Sequence, residues 1–173
     1  MQATHASSRI LQPANPWFIR LSLLVALLLN FMPTSSWLWI PDWVALTLVF
    51  WCVREPRYVG MGYAFLFGLA MDVADASLMG QHALAYVIIA YLAMLLSRRI
   101  LWFSLGQQAL HALPLLLIAP AVQLAVRLPL GVEFPGLPYF AGPCIAAALW
   151  PLLTFILLLP QYQPIERDAN RPI

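Results

Sequence analysis

Apolar stretches alternate with short polar segments along almost the whole chain, and this pattern predicts helices that cross a membrane. Each stretch is bounded by prolines, glycines or charged residues. A helix needs about 20 apolar residues to cross the hydrocarbon core of a bilayer, so the shorter stretches only just suffice. The pattern predicts six transmembrane helices, over residues 17–32, 37–53, 58–73, 83–96, 104–126 and 139–159.

The composition supports the same class of protein. Apolar residues make up 62% of the 173-residue chain and charged residues only 9%. A soluble domain carries about 25% charged residues, so this chain has too few to cover a surface that faces water. The predicted fold class is an all-α polytopic integral membrane protein with one six-helix bundle over residues 17–160. Residues 1–16 are predicted to be a disordered lead, and residues 161–173 a polar tail.

The nine arginines indicate how the helices are oriented, since the chain contains no lysine. Cytoplasmic loops of membrane proteins carry an excess of basic residues. With a cytoplasmic N-terminus, only Arg127 falls on the outer side, and six spans place both termini in the cytoplasm. No basic cluster with interleaved aromatic residues indicates nucleic-acid binding. The cytoplasmic arginines are then Arg9, Arg20, Arg54, Arg57, Arg98, Arg99, Arg167 and Arg171.

One face of the predicted third helix carries small residues that end in an acid. Gly60, Ala64, Gly68 and Asp72 follow one another at four-residue spacing. Small residues let two helix backbones approach closely in lipid, and an acid there is costly unless it faces protein or water. This face is predicted to be a surface for helix packing or for binding a partner.

Asp75 follows Asp72 by three residues, and two interpretations of the pair stay open. The acids form a cation, proton or partner site, or they lie at a helix end where water or loop amides bind them. An enzyme is disfavoured, because a second acidic cluster, a serine-nucleophile motif and a zinc motif are all missing from the sequence. Neither a metal nor another cofactor is predicted.

The predicted fifth helix contains polar residues within an apolar stretch. Gln107 and His111 are four residues apart, and Gln123 lies further along. They line a solute cavity or form hydrogen bonds with neighbouring helices. The first possibility gives the alternative function of a small-solute binding or transport subunit.

A set of short motifs resembles the rod shape-determining protein MreD family over about residues 17–160. The motifs are Pro41-Asp42, Arg54-Glu55-Pro56-Arg57 with Gly60, Gly68-Leu69-x-x-Asp72, the segment Gly80-Gln81-His82-Ala83-Leu84-Ala85-Tyr86, and Arg98-Arg99. The positions carried over from the family are Gly68, Asp72, Gly80, His82 and Tyr86. None of them has a catalytic role in the family.

The resemblance implies a non-enzymatic component of the bacterial inner membrane that acts in cell elongation and peptidoglycan synthesis. It implies binding to the bitopic protein MreC and, through it, to MreB, RodA and the transpeptidase paired with RodA. It also implies a fold shared with the substrate-binding components of energy-coupling-factor transporters. We therefore expect the third helix and residues 72–86 to bind MreC or to stabilise the bundle that binds it, with membrane lipid as the surrounding partner.

Overall fold

The computed structural model describes residues 14–32 and 39–161. These contain six α-helices: α1 (Pro16–Asn30), α2 (Trp43–Arg54), α3 (Met61–Ala74), α4 (Gln81–Leu101), α5 (Leu105–Arg127) and α6 (Ala141–Leu158). Short 3-10 turns cover Leu128–Leu130, Leu137–Phe140 and Leu159–Gln161. The all-α fold class is confirmed. The predicted lead and tail lie outside the described residues, apart from residues 14–16 and 161, and so does the predicted turn at residues 33–36.

Side chains at the helix starts explain where several helices begin. The Asn15 side chain accepts the Trp17 N–H, and Pro16 is the first residue of α1, a position where its missing N–H is harmless. The Asp42 side chain accepts the Ala45 N–H at the start of α2. Such caps satisfy backbone donors that have no partner inside the helix.

Helix α2 forms the centre of the bundle. Every residue from Val44 to Val53 is buried. The helix packs against α1, α4, α5 and α6, and the Trp51 ring makes edge contacts with Phe18 and Phe50. With 12 residues, α2 is about 18 Å long, well short of a bilayer core. It is therefore an internal helix whose surface is covered by the rest of the chain.

Helices α1, α4, α5 and α6 surround α2, α3 packs against α4, and the outer surfaces of the helices are apolar. Helix α4 packs against α3 and α5, and α5 packs against α6. Large apolar side chains such as Leu66, Leu95, Leu110 and Phe155 are more than half exposed. Three segments, Gln81–Leu101, Leu105–Leu130 and Leu137–Gln161, are long and apolar enough to cross a membrane. Helices α1, α2 and α3 are shorter apolar helices.

Consecutive helices run in opposite directions, so the charged residues collect at two ends. Within the described residues, one end holds Asp42, Asp72, Asp75, Glu133 and Arg127, and we call it the acidic end. The opposite end holds Arg20, Arg54, Arg57, Arg98, Arg99 and Glu55, and we call it the arginine end. This distribution has the sense expected from the arginine pattern of the sequence.

The predicted helix bounds need correction in three places. Helix α2 begins at Trp43, later than predicted, because Asp42 caps it. Helix α4 is longer than the predicted 83–96, since Arg98 and Arg99 belong to its last turn, where cations are favoured by the helix dipole. Residues 127–138, predicted as an irregular loop, contain the 3-10 turn Leu128–Leu130 and the start of a second one.

Candidate functional site

A buried carboxylate holds the turn between α3 and α4. Asp72 lies near the end of α3 and is only 2% exposed. Its Oδ2 accepts the Gly80 N–H at 2.8 Å and the Ala83 N–H at 3.4 Å, and its Oδ1 accepts the His82 N–H at 2.8 Å. These donors form the start of α4, where the helix dipole favours a negative charge. Asp72, a residue of α3, thus caps the start of α4.

The side chains around Asp72 add further hydrogen bonds. His82 Nδ1 lies 2.9 Å from Asp72 Oδ1, and His82 Nε2 lies 3.5 Å from Asp75 Oδ2. The Ser77 hydroxyl lies 3.1 Å from Asp72 Oδ1 and 3.3 Å from His82 Nδ1. In a serine hydrolase the acid contacts Nδ1 of the histidine and the serine contacts Nε2, whereas here Ser77 shares Nδ1 with Asp72 and Nε2 faces the acid Asp75. The geometry is that of a stabilised turn.

Close packing of α3 on α4 explains the small residues of the third helix. A Cβ built on Gly68 would lie 2.3 Å from Ala83 Cα, which leaves no room for a side chain. Ala64 is fully buried, and a Cβ on Gly60 would lie 3.5 Å from the Met94 sulfur of α4. The face predicted from four-residue spacing therefore packs against α4 within the same chain. Binding of a partner by these residues stays a prediction.

Gly80 supplies the backbone conformation that the turn requires. Its φ is +95°, in the region that residues with a Cβ rarely adopt. This conformation aims the Gly80 N–H at Asp72 and starts α4 immediately afterwards. The positive φ thus explains why the family motif has glycine at position 80.

A second carboxylate, Asp42, joins three helices at the same end. Besides the Ala45 N–H, it accepts Asn30 Nδ2 of α1 at 2.8 Å and the Tyr86 hydroxyl of α4 at 2.6 Å. Asn30 in turn accepts the Trp43 N–H at 2.9 Å through its Oδ1. The ends of α1 and α2 are thereby tied to the first turns of α4.

The two carboxylate groups belong to one polar cluster, because the His82 and Tyr86 rings are in edge contact at 6.0 Å between centroids. We call Asn30, Asp42, Asp72, Asp75, Ser77, Gly80, His82 and Tyr86 the acidic-end cluster. It draws on α1, α2, α3 and α4. Both Asp72 and Tyr86 are buried, while the Asp75 side chain is 47% exposed.

Sequence reasoning placed five of these residues in the site and omitted three. Asp72, Asp75, Gly80, His82 and Tyr86 were predicted and come together, while Gly60 and Ala64 lie further along the interface between α3 and α4. The omitted residues are Asn30, Asp42 and Ser77. The Pro41-Asp42 family motif was the available signal.

The polar residues of α5 do not line one cavity. Gln107 accepts the Ser104 N–H in a capping box at the arginine end, and His111 stacks on Phe103 there. Gln123 lies near the other end of α5 and accepts the Tyr139 hydroxyl at 2.8 Å. The hydrogen bonds of Gln107 and His111 stay within the start of α5 and do not reach a neighbouring helix. Of the three residues, Gln123 borders a cleft at the acidic end.

Replacing Tyr86 with Phe should lower the free energy of unfolding by about 1.5–3 kcal/mol, because the hydrogen bond that is lost goes to a charged carboxylate. The measurement is the thermal unfolding midpoint in detergent, followed by tryptophan fluorescence. Tyr91→Phe is the matched control, since Tyr91 lies on the same helix and is 52% exposed. Equal midpoints for the two variants would contradict a stabilising role of the Tyr86–Asp42 bond.

The bundle and its buried cluster define the class: an all-α polytopic membrane protein whose acids join helices to one another. The sequence matches the family model described as rod shape-determining protein MreD over residues 12–159, and the chain belongs to this family. It is 30% identical over 149 residues to the rod shape-determining protein MreD of Haemophilus influenzae, covering 82% of this chain and 89% of that protein.

The predicted resemblance to the MreD family is therefore confirmed, and family membership gives the chain a role in rod shape determination. No solved structure matches the chain. The implied likeness to the substrate-binding components of energy-coupling-factor transporters stays a prediction.

Proposed function

We propose that this chain is a non-enzymatic scaffold of the cell-elongation machinery in the bacterial inner membrane. It crosses the membrane several times with both termini cytoplasmic, and it binds MreC. Through MreC it supports MreB, RodA and the paired transpeptidase in peptidoglycan synthesis and rod shape. Family membership supports the role in cell shape. The observation that carries the partner proposal is the position of α3 at the edge of the bundle.

Helix α3 packs against α4, and among the described residues its opposite face carries exposed apolar side chains. That face carries Phe65, Leu66 and Val73, which are 48%, 65% and 70% exposed. A Cβ on Gly62 would meet nothing within 4 Å. We call Gly62, Phe65, Leu66 and Val73 the outer face of α3. A glycine beside large apolar side chains is a surface that a second transmembrane helix can approach closely.

The acidic-end cluster gives this face a fixed position. Asp72 and the first turn of α4 hold the end of α3 by hydrogen bonds at 2.8 Å. A rigid surface loses less conformational entropy on binding than a mobile one. In the proposed function, residues 72–86 stabilise the bundle, and the outer face of α3 contacts the membrane helix of MreC.

One feature supports a non-enzymatic role. The polar atoms of Asp72, Ser77 and His82 are engaged with one another and with backbone N–H groups. Their hydrogen-bonding capacity stabilises a turn.

Replacing Gly62 with Leu tests the proposed contact. The larger side chain has room within the chain but keeps a second helix at a distance, so the affinity for MreC should fall about tenfold or more, equivalent to about 1.4 kcal/mol. The measurement is binding of purified MreC in nanodiscs. Gly106→Leu is the matched control, because Gly106 is also the second residue of a helix, and a Cβ there also meets nothing within 4 Å.

Unchanged MreC binding by Gly62→Leu would remove the outer face of α3 from the interface. An equal loss in Gly106→Leu would point to a general effect of added bulk. Thermal unfolding midpoints near that of the unmodified protein would show that both variants are folded, so that a change in MreC binding can be assigned to the substituted surface.

A second candidate function, small-solute binding, is favoured by one observation. A cleft at the acidic end is lined in part by Asp42, Gln123 and Tyr139. A transport site is expected near the bilayer midplane between helices, whereas these polar side chains lie at one end of the bundle. Copurification of an ATPase module or a tightly held soluble molecule, in place of MreC, would favour this alternative.

A further inference from the structure

The cleft at the acidic end lies between the start of α2, the second half of α5 and the start of α6. Its volume is about 170 Å³. A cavity of about 150 Å³ accommodates a molecule the size of benzene, so this cleft has room for a small group. Its walls are mostly apolar, formed by Ile40, Ala45, Leu116, Ala119, Pro120, Gly142, Pro143 and Ala146.

A carboxylate borders the cleft without a cation to balance it. Asp42 lines the cleft, and its three hydrogen bonds come from neutral donors, namely Asn30, the Ala45 N–H and Tyr86. No basic side chain of the described residues lies within ion-pair distance of it. A carboxylate offers about four acceptor positions, so at least one stays open. Asp42 can therefore accept a hydrogen bond from a positively charged group.

A donor borders the same cleft. Gln123 lines it and is only 7% exposed. Its Oε1 accepts the Tyr139 hydroxyl, while its Nε2 has no hydrogen-bond partner among the described residues. An occupant with an acceptor group would satisfy it.

A cation lies one helical turn beyond this donor. Arg127 follows Gln123 by four residues on α5, so both lie on the same helix face. Its Nε donates to Gln81 Oε1 at 2.9 Å, and its terminal nitrogens have no other partner in residues 14–32 and 39–161. Tyr139 interacts electrostatically with both Arg127 and Asp42. The cleft thus has an anion in its wall, and the cation of Arg127 lies outside the wall, one helical turn beyond Gln123.

We propose that this cleft binds the headgroup of an aminophospholipid, with the ammonium group at Asp42 and the phosphate toward Gln123 and Arg127. This headgroup carries one positive and one negative charge, which complement the carboxylate of Asp42 and the guanidinium of Arg127. The apolar walls suit the carbon atoms that link the two charged groups and continue into the lipid. A membrane protein meets this chemistry constantly at the bilayer surface. The site is independent of the proposed contact with MreC on α3.

The experiment compares lipids on the purified full chain in detergent. Phosphatidylethanolamine, phosphatidylcholine and phosphatidylglycerol are offered at equal concentration, and the lipid retained is measured by native mass spectrometry. We expect phosphatidylethanolamine to be retained at least about fivefold over the other two. Methylation of the ammonium removes its N–H donors, and the glycerol headgroup has no cation to pair with Asp42.

Two variants test the location of the site. Asp42→Asn removes the charge but keeps a side chain that can cap α2, so the preference for phosphatidylethanolamine should be lost. Because Asn cannot accept all three hydrogen bonds of Asp42, its unfolding midpoint is measured alongside. Ala146→Leu fills the cleft without changing charge and should also abolish retention. Glu133→Gln is the control, because Glu133 is an exposed acid at the same end of the bundle. This variant should retain the lipid as the unmodified protein does.

Equal retention of the three lipids, or an unchanged preference in Asp42→Asn, would overturn the proposal. Free phosphoethanolamine is added in a separate arm. If it displaces the lipid at comparable concentration, the occupant is a soluble zwitterion, and the lipid assignment is wrong. Gly62→Leu should keep the lipid preference, so a failure of MreC binding and a failure of the lipid site give different results.

Discussion

Replacing Asp72 with Leu is expected to lower the free energy of unfolding by about 3–5 kcal/mol, because several hydrogen bonds to a carboxylate are lost together and each such bond contributes about 1.5–3 kcal/mol. The carboxylate accepts hydrogen bonds from three backbone N–H groups and two side chains. Leu satisfies none of them and leaves the start of α4 without a cap. Domains are stable by only about 5–15 kcal/mol, so this variant should accumulate poorly.

The measurement is the thermal unfolding midpoint of purified variants, together with protein accumulation in the membrane. Asp72→Asn keeps the shape and one acceptor oxygen and should fall between the unmodified protein and Asp72→Leu. Asp75→Leu is the matched control, because the Asp75 side chain is 47% exposed and its Oδ2 lies 3.5 Å from His82 Nε2. An Asp72→Leu midpoint equal to that of Asp75→Leu would show that the cap contributes little.

Replacing Gly68 with Leu is expected to separate α3 from α4. It should lower the free energy of unfolding at least as much as Asp72→Leu does. Even an added Cβ would lie 2.3 Å from Ala83 Cα and 2.5 Å from Ala83 N, and both are backbone atoms that cannot rotate away. Overpacking typically lowers the free energy of unfolding by about 1–3 kcal/mol, and by more where the backbone must shift. The same shift would also break the hydrogen bonds between Asp72 and the start of α4.

Cysteine crosslinking across the α3–α4 interface and the unfolding midpoint provide the measurement. Gly68→Ala should already lower the midpoint, whereas Gly62→Ala on the same helix should leave it unchanged or raise it. Alanine is favoured over glycine by about 0.5–1 kcal/mol within helices when space allows. A Gly68→Ala variant as stable as Gly62→Ala would contradict the close approach of the two helices.

Local sequence patterns predicted the parts of the fold that depend on helix periodicity. The four-residue spacing of Gly60, Ala64 and Gly68 identified one helix face, because side chains four apart lie above one another on a helix. Proline, glycine and charged residues marked most helix ends. The spacing could not distinguish packing within the chain from packing against a partner, since both need the same small residues.

The cluster at the acidic end depends on contacts that no local pattern contains. Asp42 bonds Asn30 across 12 residues and Tyr86 across 44 residues of sequence. Asp72 caps a helix that begins nine residues later, which requires the positive φ of Gly80. The cleft needs α2, α5 and α6 in their packed positions. These features follow from tertiary packing, so the sequence identified several of the residues but not their partners.

The complete enclosure of α2 also constrains how the chain assembles during synthesis. Val44 to Val53 are covered by helices that come both before and after α2 in the chain. Until α4, α5 and α6 are inserted, α2 lacks most of its packing partners, and the hydrogen bond between Asp42 and Tyr86 cannot form. Chains that stop before α4 therefore lack the Tyr86–Asp42 hydrogen bond and leave much of the apolar surface of α2 uncovered, so the C-terminal half of the chain completes the packing of the N-terminal half.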